Sequence, residues 1–229
     1  MKLGIMQPYF LPYIGYFQLI NAVDKYVIYD DVNFIKGGWI NRNKILLNGN
    51  AFMINVPMQG ASSFKKINEI KVGINKKKLL IIIEQAYKKA PFYSIVFPLV
   101  SEIIQYDNDN LALFISNSVI KIAKYLQIET EILLSSEIKK DNNLKAQKKV
   151  INICKILGAT EYYNSIGGLE LYNKEEFASH NLTLKFLKSK IIPYQQLNNE
   201  FIPYLSILDV LMFNSVENIN LMLDNFELI

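Results

Sequence analysis

Apolar residues recur along this chain with two different periods. KLGIMQ at 2–7 and KYVIYDD at 25–31 are short β-branched or aromatic runs, and YIGYFQLINA at 13–22 between them has the spacing of a short helix. Strand, helix, strand is the outline of a βαβ unit. It predicts parallel pairing, with the loops at the strands' carboxyl ends lining a ligand crevice. GGWINRNKILLNGNAFMINVPM at 37–58 reads as strand, turn at Asn48 and Gly49, strand.

From residue 75 the period becomes helical. In NKKKLLIIIEQAYKK, Leu79, Ile82, Ile83, Ala86 and Tyr87 share one face, with Asn75 as the expected N-cap. FYSIVFPLVSEIIQY at 92–106 follows, then NLALFISNSVIKIAKYL at 110–126, where Leu111, Phe114, Ile115, Val119, Ile122 and Leu126 line up. Alternation then returns: TEILLSS (strand), LKAQKKVINICKILG (helix ending at Gly158), TEYYNS (strand), LELYNKEEFASHN (helix) and LTLKFLK (strand). Neither a repeat nor a Gly/Ser/Pro-rich linker divides the chain. The pattern predicts one α/β domain over residues 1–229, with a mostly parallel sheet, βαβ crossovers and a helical insertion in the middle third, about 75–126.

Composition narrows the function classes. With 229 residues, 51% of them hydrophobic, the chain can bury a sizeable core. The net charge of +4 comes from 25 basic residues of which only Arg42 is arginine, and Ile and Asn are abundant; this is a compositional bias more than a phosphate-binding surface. Nucleic acid is not an expected partner. The longest aliphatic run, Leu79 to Ile83, is far short of the roughly 20 residues of a membrane span. MKLGIMQP lacks the features of a signal peptide, and a lone cysteine agrees with a reducing compartment, so a cytoplasmic protein is expected.

Several familiar chemistries lose support in turn. Cys154 shares a helical face with Ala146, Val150, Ile153 and Leu157, which makes it a buried small hydrophobe and not a nucleophile. His180 falls at the end of a predicted helix, where an imidazole suits the dipole; as the only histidine it has no second metal-ligating histidine. No metal site is expected. GGW has neither the G-x-G-x-x-G spacing nor a Lys-Ser/Thr pair, which disfavours dinucleotide and P-loop binding. DND at 107–109 lies between helices, where Asp and Asn cap. Lys76 to Lys78 stand at a helix start, where the dipole disfavours cations, so helix stability does not explain them.

The cluster YDDVNFIKGGWINRN at 29–43 remains. Asp30 and Asp31 close a predicted strand at the end where α/β sheets place their sites, and the segment holds the only tryptophan, Trp39, and the only arginine. Two readings stay open: Arg42 supplies a planar fork for phosphate or carboxylate, or it pairs with Asp30 or Asp31 while Trp39 fills a core gap. The uncharged loop from Gln7 to Gly15 leaves the first strand beside this cluster. Its rings, Tyr9 and Tyr16 among them, suit a sugar or nucleobase, Pro12 stiffens it, and Gly15 opens a helix whose amides suit an anion. Alternatively the aromatics form a lid on the core.

QPYFLPYIGYFQLI, VIYDDVNFIKGGWINRN, YKKAPFY, YYNSIGGLELYNKEEF, LKFLK and FIPYLSILDVLMFN together resemble the successive blocks of the WbqC-like proteins, over nearly the whole chain. That resemblance implies a place in bacterial O-antigen or other surface-polysaccharide synthesis, with transfer of glycine to a sugar as the suggested activity. It marks Gln7, Pro8, Pro12, Gly15 and Tyr16; then Asp30, Asp31, Phe34, Gly38, Trp39, Asn41 and Arg42; then Asn164, Gly167, Gly168, Tyr172, Ser206 and Asp209. FLPYIGYF after a strand also resembles the P-x-H-x-G-H of nucleotidyltransferases and class I aminoacyl-tRNA synthetases, which implies a fold of that outline; Tyr13 and Tyr16 stand where those have histidines.

The resulting expectation is a transferase placing an aminoacyl or related acyl group on a nucleotide-linked amino sugar. Asp30 or Asp31 would be the base, Arg42 and Gln7 donors to anion and carbonyl, and Trp39 with Tyr9 or Tyr16 the stacking surface. Pro12, Gly15, Asn41, Asn164, Gly167 and Gly168 complete the expected binding set. ATP or an activated acyl or aminoacyl donor would be the co-reactant, with aminoacyl-tRNA as one such donor; a homo-oligomer is left open. A nucleotidyl-transferring or acid-adenylating enzyme and a non-catalytic scaffold are the alternatives.

Overall fold

The computed structural model describes residues 1–197 and 200–229. Its framework is a βαβ unit, β1 (Lys2–Met6), α1 (Ile14–Asn21) and β2 (Lys25–Ile28), with the two strands parallel in the register Leu3 to Lys25. A hairpin follows, β3 (Arg42–Leu47) and β4 (Asn50–Asn55). Its turn works because Asn48 and Gly49 both take positive φ, 51° and 75°, the backbone that twists in the same sense as the flanking strands. β5 (Met58–Gln59) and β6 (Lys71–Val72) pair antiparallel, and three helices come next: α2 (Lys77–Tyr87), α3 (Tyr93–Gln105) and α4 (Leu111–Tyr125). The chain re-enters the main sheet with β7 (Glu131–Leu134), α5 (Ala146–Ile156), β8 (Glu161–Ser165), α6 (Lys174–Ala178) and β9 (Thr183–Ser189). It ends with α7 (Ile207–Phe213), α8 (Val216–Leu223) and β10 (Phe226–Leu228).

The main sheet runs β10-β9-β8-β1-β2-β7, parallel except for β10, which lies antiparallel on β9. From β1 the chain builds outward through β2 to β7 and then returns to lay β8 on the other side of β1. The gap between β1 and β8 is thus the topological switch point, and the carboxyl ends of those strands diverge into a crevice there. Both faces are covered. α1, α7, α8 and the α2–α4 layer enclose one core with Phe10, Phe17, Leu19, Tyr26 and Phe114; α5 and α6 enclose another with Leu3, Ile5, Val27, Cys154, Tyr162 and Phe177. Burial pushes the Cys154 thiol up to about 12, consistent with an inert side chain. No helix among the described residues is long and apolar enough to cross a membrane.

Three local expectations change. Asn75 does not cap α2; Lys76 holds that position, and its ammonium donates to the Tyr106 carbonyl at 2.6 Å and lies 5.0 Å from the Phe114 ring centroid. The cation at an unfavourable helix end is there to tie α2 to the end of α3. The helix expected over 169–181 shrinks to α6, because Asn173 caps it through Glu176 N–H and a 3-10 turn takes residues 166–168. His180 consequently sits beyond α6, beside Lys155 and Glu176 on the surface. The pattern also did not resolve α7, α8 or β10.

α7 brings Asp209 into the core, wholly buried, where it accepts from Tyr87 Oη (2.9 Å), Tyr194 Oη (2.8 Å) and Gln196 Nε2 (2.6 Å). Burial raises its pKa and these three donors oppose the rise. Tyr87 Oη also accepts from Leu46 N–H at 3.1 Å, so one hydroxyl joins α2, β3 and α7. Tyr87→Phe leaves a buried N–H and a buried carboxylate oxygen without that partner. The expected cost is about 1–3 kcal/mol, read from the midpoint of urea unfolding with the slope unchanged.

Candidate functional site

The loop leaving β1 is fixed by its backbone. Leu11 is buried with φ 45°, a left-handed conformation costly for a residue with a branched side chain. Its carbonyl accepts two hydrogen bonds of 2.7 Å, from Asn43 Nδ2 and from Ser206 Oγ. Asn43 Oδ1 in turn accepts from Lys44 N–H, and Ser206 Oγ caps α7 through Leu208 N–H. On either side, Phe10 N–H donates to the Ile40 carbonyl and Ile207 N–H to the Pro12 carbonyl. β3 and the start of α7 thus grip the loop together.

What they hold in place is a crevice of about 390 Å³ over the carboxyl ends of β1, β8 and β9, lined by Tyr9, Pro12, Tyr13, Trp39, Asn43, Ile166, Lys188, Ser189 and Tyr204. This is the size of a small-molecule site, with Tyr9, Tyr13, Trp39 and Tyr204 supplying the aromatic part of its wall. Trp39 is 44% exposed, so it does not fill a core gap. Arg42 does not pair with Asp30 or Asp31: its Nε donates to the Gly38 carbonyl at 2.9 Å, a terminal nitrogen bonds the Gly37 carbonyl, and the guanidinium lies 5.9 Å from the Trp39 ring centroid. Lys44 Nζ lies 6.0 Å from the same ring. The reading with a carboxylate partner and a core-filling indole does not hold; the arginine braces the turn that presents the indole.

Of the aromatic loop, Tyr9 and Tyr13 reach the crevice while Tyr16 is buried and donates to the Gln7 carbonyl at 3.0 Å. Gly15 has a packing reason. A Cβ there would come within 2.3 Å of the Tyr13 ring, which lies across the start of α1, where backbone amides were expected to meet a ligand. The Gln7 side chain makes no hydrogen bond to a described residue. Asn41 lies apart, its side chain donating to the Val56 carbonyl at 3.2 Å beside a different groove.

Asp30 and Asp31 are buried at the end of β2, and neither lines the crevice. Asp30 accepts from Ser136 N–H at 2.9 Å and Asn68 Nδ2 at 3.3 Å, fastening the loops after β7 and before β6. Asp31 accepts from Ser135 Oγ at 2.7 Å and meets two ammonium groups, Lys140 at 2.9 Å and Lys149 at 3.1 Å. Burial alone would raise its pKa; the bonds from Ser135, Lys140 and Lys149 overcome this and hold it below the ordinary carboxylate range. A carboxylate so stabilised is a weak base. A depressed folded pKa gives stability that is complete above the unfolded value, near 3.9, and lost as pH falls through the folded one. Asp31→Asn, which strands two buried lysines, is expected to cost about 3–5 kcal/mol at pH 7. The difference from wild type should shrink in urea titrations carried to successively lower pH, as pH falls through the lowered folded pKa and wild type itself becomes protonated.

The expected residues after β8 form a packing unit on the α5 and α6 side. Asn164 is buried and accepts from Ser165 N–H at 2.7 Å. A Cβ on Gly168 would meet Asn164 Nδ2 at 2.8 Å, whereas one on Gly167 would find its nearest neighbour, Ser165 Oγ, at 3.9 Å. Gly168→Ala should therefore lose about 1–3 kcal/mol in thermal or urea unfolding, and Gly167→Ala close to nothing. The sequence reading missed Asn43, Tyr204, Ser135, Lys140 and Lys149. Lys149 had a signal: it stands three residues after Ala146 and four before Ile153, on the inward face of α5. Among the described residues no cluster of three or more His, Cys, Asp or Glu side chains is placed to hold a metal ion.

A model of the WbqC-like protein family matches residues 7–221, spanning every element named above except β1 and the C-terminal turn of α8 with β10. The chain is also similar to the uncharacterized protein Rv1507c of Mycobacterium tuberculosis, 29% identical over 218 residues that make up 93% of each chain. No solved structure matches.

Proposed function

Because the chain belongs to the WbqC-like protein family, we propose that it is a transferase of bacterial surface-glycan synthesis, placing an aminoacyl or related acyl group on a nucleotide-linked amino sugar. The observation carrying this reading is the crevice at the switch point, where a half-exposed indole and the Tyr9 and Tyr13 rings offer apolar faces between polar groups. A sugar or nucleobase stacks on such faces. Lys44 beside Trp39 adds positive charge for a diphosphate, while the Lys188 ammonium on the wall is already paired with Glu227 at 3.1 Å.

In the transfer the sugar's amine attacks the acyl carbon, an amide bond forms, the bond to the donor's leaving group breaks, and that group takes the electron pair and the proton the nitrogen loses. Asp30 and Asp31, both committed to hydrogen bonds, position groups in this reading and do not accept that proton. The doubly wound strand order also suits an acid-adenylating enzyme. Tyr16 argues against it, since it replaces a histidine of that motif with a buried ring whose hydroxyl is spent on Gln7.

Trp39 is the only tryptophan, so fluorescence excited at the red edge of the indole band, where the 14 tyrosines do not absorb, reports on this crevice. Titration with UDP-, dTDP- and CMP-linked amino sugars is expected to give a saturable change with at least one of them. In calorimetry, Trp39→Ala should weaken that ligand about tenfold to a hundredfold, and Trp39→Phe by less. If no nucleotide sugar alters fluorescence or melting temperature, the transferase reading fails and the crevice becomes a protein-binding surface.

A further inference from the structure

One carboxylate faces two ammonium groups at the end of β2, and both lysine side chains are buried, 2% exposed for Lys140 and 8% for Lys149. Lys140 alone suffices for Asp31. Its Nζ has three acceptors, the Asp31 carboxylate and the carbonyls of Ser135 and Ile138. Lys149 has one, Asp31 Oδ2, an oxygen that Lys140 already holds. Two of its protons have no described acceptor, and no other described carboxylate lies within 4.0 Å of either nitrogen. A surplus ammonium in so dry a place is unfavourable unless an anion meets it.

A further donor without a partner stands beside Lys149. Its Nζ lies 5.4 Å from the Tyr29 ring centroid, and the Tyr29 hydroxyl, half-buried, has no hydrogen-bond partner among the described residues. Tyr29 and Asp31 alternate with Val27 along β2 and face the α5 side, as Asn164 does on β8. Gln7, with its free amide, comes next in the alternation of Leu3 and Ile5 on β1, between them. The carboxyl edge of β8, β1 and β2 therefore carries a polar row on one face, and Ile166 belongs both to that face's apolar cluster and to the crevice wall.

We propose that Lys149, with the Tyr29 hydroxyl, is an oxyanion subsite for a carboxylate or phosphate group. Asp31 and Lys140 are its positioning residues: Asp31 holds the Lys149 ammonium in place, and Lys140 cancels the charge of Asp31 so that Lys149 keeps its own. The subsite rests on the reading above only in assigning this anion to the ligand whose ring occupies the crevice.

The test is thermal unfolding of the full chain in increasing sodium phosphate or sodium acetate, against sodium chloride at equal ionic strength, for wild type, Lys149→Met and the exposed control Lys148→Met. One of the two oxyanions is expected to raise the wild-type and control midpoints saturably by several degrees, and Lys149→Met to fold but not respond. Phosphate acting alone marks a phosphorylated ligand, acetate acting alone a carboxylate. Tyr29→Phe, which removes only a hydroxyl, should weaken the response roughly tenfold and serves if Lys149→Met does not fold. The proposal is overturned if neither anion exceeds chloride on wild type, or if Lys149→Met or Tyr29→Phe responds like wild type. A Trp39 response to nucleotide sugars without an anion response defeats the subsite alone; the reverse defeats the crevice reading alone.

Discussion

The carbonyl oxygen of Leu11 is where three parts of the chain meet. A buried leucine at φ 45° is a conformation the chain would leave if it could, at a cost on the order of 1–3 kcal/mol. Asn43 from β3 and Ser206 from the start of α7 bind that one oxygen and make leaving more expensive. The reversal they impose turns the loop back over the end of β1, so that Phe10 goes into the core against Phe114 while Tyr9 and Tyr13 face the crevice. An inserted hairpin and a C-terminal helix, neither of them in the main sheet, thereby set the shape of the space above it.

The other fixed point is electrostatic. Asp30 and Asp31 are adjacent, and alternation along β2 sends them to opposite sides. Asp30 stitches loops through neutral donors, while Asp31 gathers the ammonium groups of two elements under α5. Buried ionic groups of this kind are expensive to assemble and exacting in geometry, which suits a place where loops from β2, β7 and α5 must hold one arrangement.

The framework was legible because it is written in periodicity. The βαβ start, the Asn48 and Gly49 hairpin, the helical middle and the later crossovers each depend on spacing within a short window. The C-terminal helices were harder: FIPYLSILDVLMF is apolar nearly throughout, and an element buried on most sides shows little period. At the site, aromatic richness pointed to Tyr9 and Trp39. The partners of the charged residues were not legible. Arg42, read either as a fork for a ligand's phosphate or carboxylate or as the partner of Asp30 or Asp31, meets the carbonyls of Gly38 and Gly37, four and five residues back. Asp31 finds Lys140 and Lys149 more than a hundred residues away, across a crossover whose geometry no local pattern encodes. Spacing says where a charge sits along the chain and says nothing about which distant one it will face.

The insertion between β2 and β7 also bears on how the molecule is made. These strands are neighbours, Lys25 opposite Glu131, yet a hairpin and three helices are threaded between them, and β8 must come back still later to lie against β1. Closing a loop of about a hundred residues costs little more free energy than closing one half as long, but contacts so distant in sequence form late. The β1–β2 pairing and the α2–α3 packing join segments near one another in the chain and can form early, leaving β1 and β2 as a two-stranded ribbon with both edges open until β7 and β8 arrive. That interval is when the protein is most exposed to pairing with strands of its neighbours, and crowding or slow synthesis would act on it there.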